Sequence, residues 1–302
     1  MNVIREICKD YGASFLEGVS IAPYTSFKIG GKCNIVKLNG VLVLRDVLAY
    51  CKRASIPYRI LGKGSNVLIS DKGLDGVVLL FGDDFADIRV DAESKLIECQ
   101  AGARLSTLCK TAALHSLTGI EFAYGIPGTV GGALYMNAGA YGGEMAHVVE
   151  SCIYLDADSD CVHCRRVQDM NLSYRRSVFG DDDKNWLITV VKIRLNDGDK
   201  SAITARMDEI TAARRDKQPL EFHSAGSTFK RPLGHFAAKL IQDCGLKGAA
   251  VGGAEVSEKH SGFVINKGGA SFDDVVRLID IVKNEVYRKT GVTLEREILV
   301  WE

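Results

Sequence analysis

Residues 124–143 read Tyr-Gly-Ile-Pro-Gly-Thr-Val-Gly-Gly-Ala-Leu-Tyr-Met-Asn-Ala-Gly-Ala-Tyr-Gly-Gly. Seven of the twenty are glycine and none is charged. Glycine gives up more conformational freedom on folding than any other residue, so a run this rich is a poor helix or strand interior. It suits a backbone that must pass close to something. A bulky guest carrying phosphates needs free N–H groups and an approach without β-carbons in the way. A set of tight turns in a packed β region is the other reading.

A shorter glycine loop, Leu61-Gly62-Lys63-Gly64-Ser65-Asn66, follows directly on a predicted strand over 58–61. Its glycines let N–H groups converge on an anion, and Lys63, Ser65 and Asn66 add donors. It is no Walker A loop, and Val67 stands where a Rossmann fingerprint needs its third glycine. Alone it is as readily a hairpin. Two such loops in one chain favour a dinucleotide ligand.

Charge and cysteine usage narrow the class. The 302 residues carry 38 basic and 38 acidic side chains, a formal net charge of zero. That balance argues against a non-specific nucleic-acid binder. No window approaches the roughly 18 apolar residues of a membrane span. The N-terminal MNVIREICKDYG has no apolar run of the secretory kind. Nine scattered cysteines fit reduced thiols in a cytoplasm better than a disulfide framework. Cys161 and Cys164 form one CxxC around His163, but a zinc site would need a second ligand pair, so a strand edge is the simpler reading.

Periodicity predicts two parts. Strands over 76–81, 85–90, 96–100, 149–156 and 186–195, with helices over 43–54 and 105–116, make a strand-rich region ending near 198. A turn at 196–199 then leads to a helix lined by Ile203, Met207, Ile210 and Ala213 and stopped by Pro219. A second helix is expected over 236–244. A third starts at a capping box, Ser271 to Asp274, and ends at Gly291. A strand over 293–301 closes the smaller α+β part, residues 199–302.

The catalytic candidates are few. Ser227 follows a glycine in Ser224-Ala-Gly-Ser-Thr-Phe-Lys-Arg-Pro232, with Lys230 and Arg231 beside it. No GxSxG elbow is present, which disfavours a hydrolase triad and leaves a plain turn serine as the competing reading. In an alternating strand, Glu297 shares a face with Leu299 and Trp301, where desolvation raises a carboxyl pKa and suits proton transfer. An exposed glutamate is the alternative. In Ser173-Tyr-Arg-Arg-Ser177, Tyr174 and Arg175 can clamp an anion, or lie on a surface turn.

Taken in order, these segments resemble the UDP-N-acetylenolpyruvoylglucosamine reductase (MurB) family, the shorter type II branch in particular. The resemblance rests on Thr25-Ser-Phe-Lys-Ile-Gly-Gly31 and the stretches 61–66, 125–142, 173–177, 214–219, 224–232, 245–247, 256–266 and 294–297. It implies an α+β fold. An FAD-binding domain of the p-cresol methylhydroxylase/vanillyl-alcohol oxidase type, residues 1–198 in two α+β subdomains, would precede a C-terminal substrate-binding domain, 199–302. It also implies noncovalent FAD, with NADPH as co-substrate. In such a family hydride passes through FAD N5 to C3 of the enolpyruvyl group, giving UDP-N-acetylmuramate for peptidoglycan. Ser227 matches the serine that protonates C2, Glu297 the active-site carboxylate and Arg175 the arginine beside it. FAD contacts are expected from Leu61, Gly62, Lys63, Gly64, Ser65 and Asn66, and from Gly125, Pro127, Gly128, Thr129, Gly131, Gly132, Asn137, Ala138 and Gly139. Tyr174 and Lys230 are expected to touch substrate. No metal, nucleic acid or membrane is expected, and the chain is expected to be a cytoplasmic monomer. Another flavoprotein, such as an oxidase of small alcohols, and a flavin-binding module without turnover are the competing functions.

Overall fold

The computed structural model describes residues 1–181 and 183–302. Contacts group the chain into two compact units built from separated stretches. The first comprises Met1–Glu17, Asn34–Lys63 and Gly76–Ala212; the second comprises Gly18–Cys33, Gly64–Asp75 and Ala213–Glu302. The helices are α1 (Asn2–Asp10), α2 (Val41–Arg53), α3 (Leu105–Leu114), α4 (Val130–Tyr135), α5 (Lys200–Lys217), α6 (Ala237–Asp243) and α7 (Phe272–Thr290). Mixed helix and strand content makes the fold α+β, as the sequence implied.

In the first unit, residues 34–38, Val77–Phe81 and Tyr58–Leu61 pair in parallel, with residues 14–17 at the edge. The central Val-Val-Leu-Leu-Phe has no polar alternation because all five residues are buried. α2 presents Val43, Leu44, Val47, Leu48 and Cys51 to this core, the spacing of one helix face. Five further strands form an antiparallel sheet in the order Cys161–Arg166, Val149–Asp156, Trp186–Arg194, Leu96–Gln100, Ile88–Asp91. The edge strand Cys161–Arg166 is polar and mostly exposed, which suits an edge.

In the second unit, α7 lays Phe272, Val275, Leu278, Ile279, Val282 and Val286 into the core. Each such side chain contributes about 1.5–3 kcal/mol when fully buried. The capping box forms as the sequence predicts. Ser271 accepts from the Asp274 amide, Asp274 accepts from the Ser271 amide, and Gly291 ends the helix at φ +72°. A three-stranded antiparallel sheet, Ala250–Val251, Ala254–Val256 and Val264–Asn266, packs on α7, and Val67–Ile69 pairs in parallel with Leu299–Trp301.

The grouping differs from a single boundary after residue 198. Ile203 and Met207 on α5 sit in the first core, so the helix belongs there as far as residue 212. Phe27, Ile29 and Leu68 sit in the second core, which draws 18–33 and 64–75 into that unit.

Three local expectations change. Residues 85–90 are not one strand: Asp83–Phe85 is a 3₁₀ turn and the strand is Ile88–Asp91. The turn tucks Phe85 inward, 5.2 Å from the Phe81 ring centroid. Asn196–Asp197 is not only a turn; it pairs with Leu117–Thr118 before Asp199 accepts from the Ala202 amide at the start of α5. The expected strand over 293–301 shrinks to Leu299–Trp301. Leu294 and Ile298 are buried four residues apart while Arg296 is exposed, so the period there is not two. The backbone of 295–297 bonds instead to the 228–230 loop.

Candidate active site

The two glycine loops meet inside the first unit. Leu61 ends its strand buried, and the chain then runs past Thr129; a β-carbon at Gly62 would lie 2.5 Å from the Thr129 hydroxyl oxygen. That hydroxyl also caps α4 by accepting from the Gly132 amide at 3.3 Å. Gly131 packs under the loop, where a β-carbon would lie 2.7 Å from Ala101 Cβ, and its amide bonds to the Ala101 carbonyl. Gly125, Pro127 and Gly132 face outward, and Gly128 is half-buried. Among the described residues, the amides of half-buried Gly128 and buried Thr129 find no hydrogen-bond acceptor. Buried or half-buried backbone donors are otherwise almost always paired. A surface without β-carbons that offers such donors fits a phosphate-bearing ligand with a flat apolar portion.

Arg175 sits on a tight turn. Ser173 and Arg176 exchange both backbone hydrogen bonds, each 3.1 Å, with Tyr174 and Arg175 between them. Arg175 has φ +56°, the third position of a type II turn, where glycine is the easy residue. For arginine the left-handed region costs about 1–2 kcal/mol. Its guanidinium donates to the Gly139 carbonyl at 3.2 Å and lies 5.0 Å from the centroid of the exposed Tyr174 ring. Asn137 is wholly buried, and its side chain donates to the Ser173 carbonyl and accepts from the Ala146 amide, both at 2.9 Å. The Asn137 side chain is thus committed, the Asn137 and Ala138 amides already donate to the Leu134 and Ala133 carbonyls, and the Ala138 carbonyl accepts from Met145, so the ligand contacts expected of these two residues reduce to van der Waals approach.

In the second unit, Ser227 follows Gly226 at φ +77° and is partly exposed. No hydrogen-bond partner for its hydroxyl occurs among the described residues. Its neighbour Thr228 is buried, with its hydroxyl accepting from the Val264 amide and its carbonyl accepting from the Glu297 amide at 2.9 Å. The Lys230 amide in turn donates to the Glu295 carbonyl. The segments of Ser227 and Glu297 are thus stitched backbone to backbone. Lys230 forms a 3.4 Å ion pair with Glu295, both groups well exposed. Asn66 donates from its side chain to the Glu297 carbonyl at 3.2 Å and accepts at its own carbonyl from Leu299. Asn66, read from sequence as a ligand donor, therefore also holds the segment of Glu297. No local spacing reveals that, because 231 positions separate the two. Ser177, whose hydroxyl donates to the Tyr135 carbonyl at 2.6 Å, was likewise invisible as an anchor.

Cys161 and Cys164 lie exposed on the edge strand, three residues apart and so on opposite faces, which prevents shared ligation. The other seven thiols are buried, and burial pushes Cys8, Cys33 and Cys51 up to about 11 and Cys99 and Cys152 up to about 12.

Residues 218–301 match the family model described as UDP-N-acetylenolpyruvoylglucosamine reductase, C-terminal domain, and residues 35–165 match that of an FAD binding domain. The Gly62–Thr129 surface lies within the latter span and has the features that FAD asks for. The chain is 47% identical to UDP-N-acetylenolpyruvoylglucosamine reductase of Clostridium novyi over 278 residues, 92% of this chain and 89% of the relative. With the enzyme of that name from Caldanaerobacter subterraneus the identity is 46% over 299 residues, 98% and 96% of the two chains. The crystal structure of UDP-N-acetylenolpyruvylglucosamine reductase (MurB) from Thermus caldophilus is similar with a TM-score of 0.79 at 32% identity, covering 96% of this chain and 99% of that one. Fold, length and both halves agree: this chain belongs to the UDP-N-acetylenolpyruvoylglucosamine reductase family.

Proposed function

We propose that this protein is an NADPH-dependent flavoprotein that reduces UDP-N-acetylenolpyruvoylglucosamine to UDP-N-acetylmuramate, a step of peptidoglycan synthesis. The observation that supports it most directly is the stitching of the Ser227 loop to the Glu297 segment, which sets a proton donor and a carboxylate on neighbouring backbone.

FAD, when bound, supplies a two-electron carrier between NADPH and the enolpyruvyl group. Backbone around Gly62, Gly128, Thr129 and Gly132, with Lys63 and Ser65, would hold its phosphates and admit its ring system. The residues then manage charge and one proton. Hydride arriving at C3 leaves negative charge at C2, shared with the substrate carboxylate. Arg175, whose guanidinium is already oriented by Gly139, stabilises that charge where it develops. Ser227, with an uncommitted hydroxyl, delivers the proton to C2. A serine hydroxyl is a weak acid, so its action requires placement within about 3 Å of that carbon. Glu297 supports the proton transfer, and Tyr174 and Lys230 contact the substrate. Among the described residues no helix is long and apolar enough to cross a membrane. The reading places the enzyme in the cytoplasm as a monomer with no nucleic-acid partner.

Steady-state assay of the purified holoenzyme tests this. NADPH should be consumed only when the enolpyruvyl substrate is present, with UDP-N-acetylmuramate formed in equal amount. Consumption without that product would point to the oxidase-like alternative.

A further inference from the structure

We infer that Asn137 is the positioning residue of Arg175, an inference that rests on the role proposed for Arg175. The turn that carries Arg175 adopts a left-handed backbone at the arginine, so its two reciprocal hydrogen bonds do not suffice to favour it over other turns. Something outside the turn must hold it. Both of its arms are held by the same short stretch at the end of α4. The Asn137 side chain donates to the Ser173 carbonyl on one arm, and the Ser177 hydroxyl on the other arm donates to the Tyr135 carbonyl.

Asn137 is the less replaceable of the two anchors. Its amide oxygen takes the Ala146 amide while its nitrogen takes Ser173, so one planar group sets the distance between two segments. It is completely buried, and its own φ of +41° is tolerated better by asparagine than by most side chains. The same stretch then presents the Gly139 carbonyl to the Arg175 guanidinium. Backbone and side chain of Arg175 are thereby referenced to one segment, 135–139, which continues the glycine-rich loop. A shift of that segment moves the arginine with it, which keeps the guanidinium in register with whatever the loop binds.

The test uses holoenzyme and two half-reactions. Asn137→Asp keeps the side chain's size and the acceptor for Ala146 but replaces the donor to Ser173 with a second acceptor. Reduction of the enolpyruvyl substrate by NADPH-reduced holoenzyme should fall about 100-fold, the scale of a catalytic group misplaced by an ångström. Flavin reduction by NADPH should stay within about twofold, since it does not use Arg175. In an Arg175→Ala background the same substitution should cost less than about twofold, because no guanidinium remains to misplace. A readout independent of turnover is limited trypsin digestion with or without bound FAD. Cleavage after Arg175 and Arg176 should be faster in Asn137→Asp, because a released turn opens locally. Equal slowing of both half-reactions, an undiminished effect in the Arg175→Ala background, or unchanged cleavage at the turn would each overturn the inference. If Asn137→Asp does not fold, Ser177→Ala removes the other anchor and carries the same expectations. Wild-type holoenzyme that reduces no enolpyruvyl substrate would instead overturn the functional reading, while the digestion result would still report on the turn.

Discussion

Gly62 lies so close against Thr129 that a β-carbon on it would come within 2.5 Å of the Thr129 hydroxyl oxygen. This contact joins the two glycine-rich loops of the chain, and the hydroxyl involved is the one that caps α4. Gly62→Ala must therefore displace the cap or the loop, an overpacking that costs about 1–3 kcal/mol. The variant should melt lower than wild type and bind FAD more weakly in a fluorescence titration. Adding Thr129→Ala removes the clashing oxygen, so the double variant should recover part of the FAD affinity.

Arg175 holds a left-handed backbone while its guanidinium bonds to the Gly139 carbonyl. Arg175→Gly suits the left-handed turn position but loses the bond to Gly139 and the contact with Tyr174. These effects oppose one another, and the net stability change should stay within about 1 kcal/mol. Thermal melting should thus move little while UDP-N-acetylmuramate formation collapses. A large drop in melting temperature would mean that the arginine is primarily structural.

Ser227→Ala should leave flavin reduction by NADPH nearly intact and slow substrate reduction by roughly two orders of magnitude or more, the range of general acid catalysis. Ser227→Cys should retain more activity than alanine. Equal loss of both half-reactions would show a cofactor or folding defect.

The buried thiols make a chemical prediction. Native protein should react quickly with a thiol reagent at Cys161 and Cys164 alone, and all nine cysteines should react after denaturation. The other seven are buried away from the reagent, and burial raises the pKa of Cys8, Cys33, Cys51, Cys99, Cys109 and Cys152, which keeps those six protonated near neutral pH. Peptide mapping of the labelled protein checks the assignment.

The cap of α7 gives a pH signature. Hydrogen bonds from Ser271 hold the Asp274 carboxyl below its ordinary value of 3.8 in the folded state. A folded pKa below the unfolded one stabilises the protein above pH 3.8 and loses that contribution as the pH falls through the folded value. Melting of Asp274→Asn should lie below wild type at pH 7, and the difference should close in acid. Ser271→Ala removes the cap directly and should cost about 1 kcal/mol.

Much of this architecture is legible in the sequence because local chemistry decides it. The capping box at Ser271 and Asp274, the apolar stripe of α2 and the stop at Pro219 act within a turn or two of chain. The glycine loops are legible as loops because their composition excludes regular structure. What cannot be read is pairing over distance. The Asn66 side chain reaches Glu297 across 231 positions, and Asn137 reaches Ser173 across 36, so neither role leaves a mark on nearby residues. The segment 293–298 misleads because its backbone divides its hydrogen bonds between the 228–230 loop and Asn66, and the apolar spacing follows those partners instead of a strand's period. Phe85 misleads likewise, since stacking on Phe81 draws the chain into a helical turn.

The central claim is that electrons taken from NADPH leave through the enolpyruvyl group. Holoenzyme reduced with one equivalent of NADPH without oxygen should lose its visible flavin absorption. Mixing it with UDP-N-acetylenolpyruvoylglucosamine should restore that absorption and form one UDP-N-acetylmuramate per flavin. Flavin that stays bleached in the presence of this substrate would contradict the account.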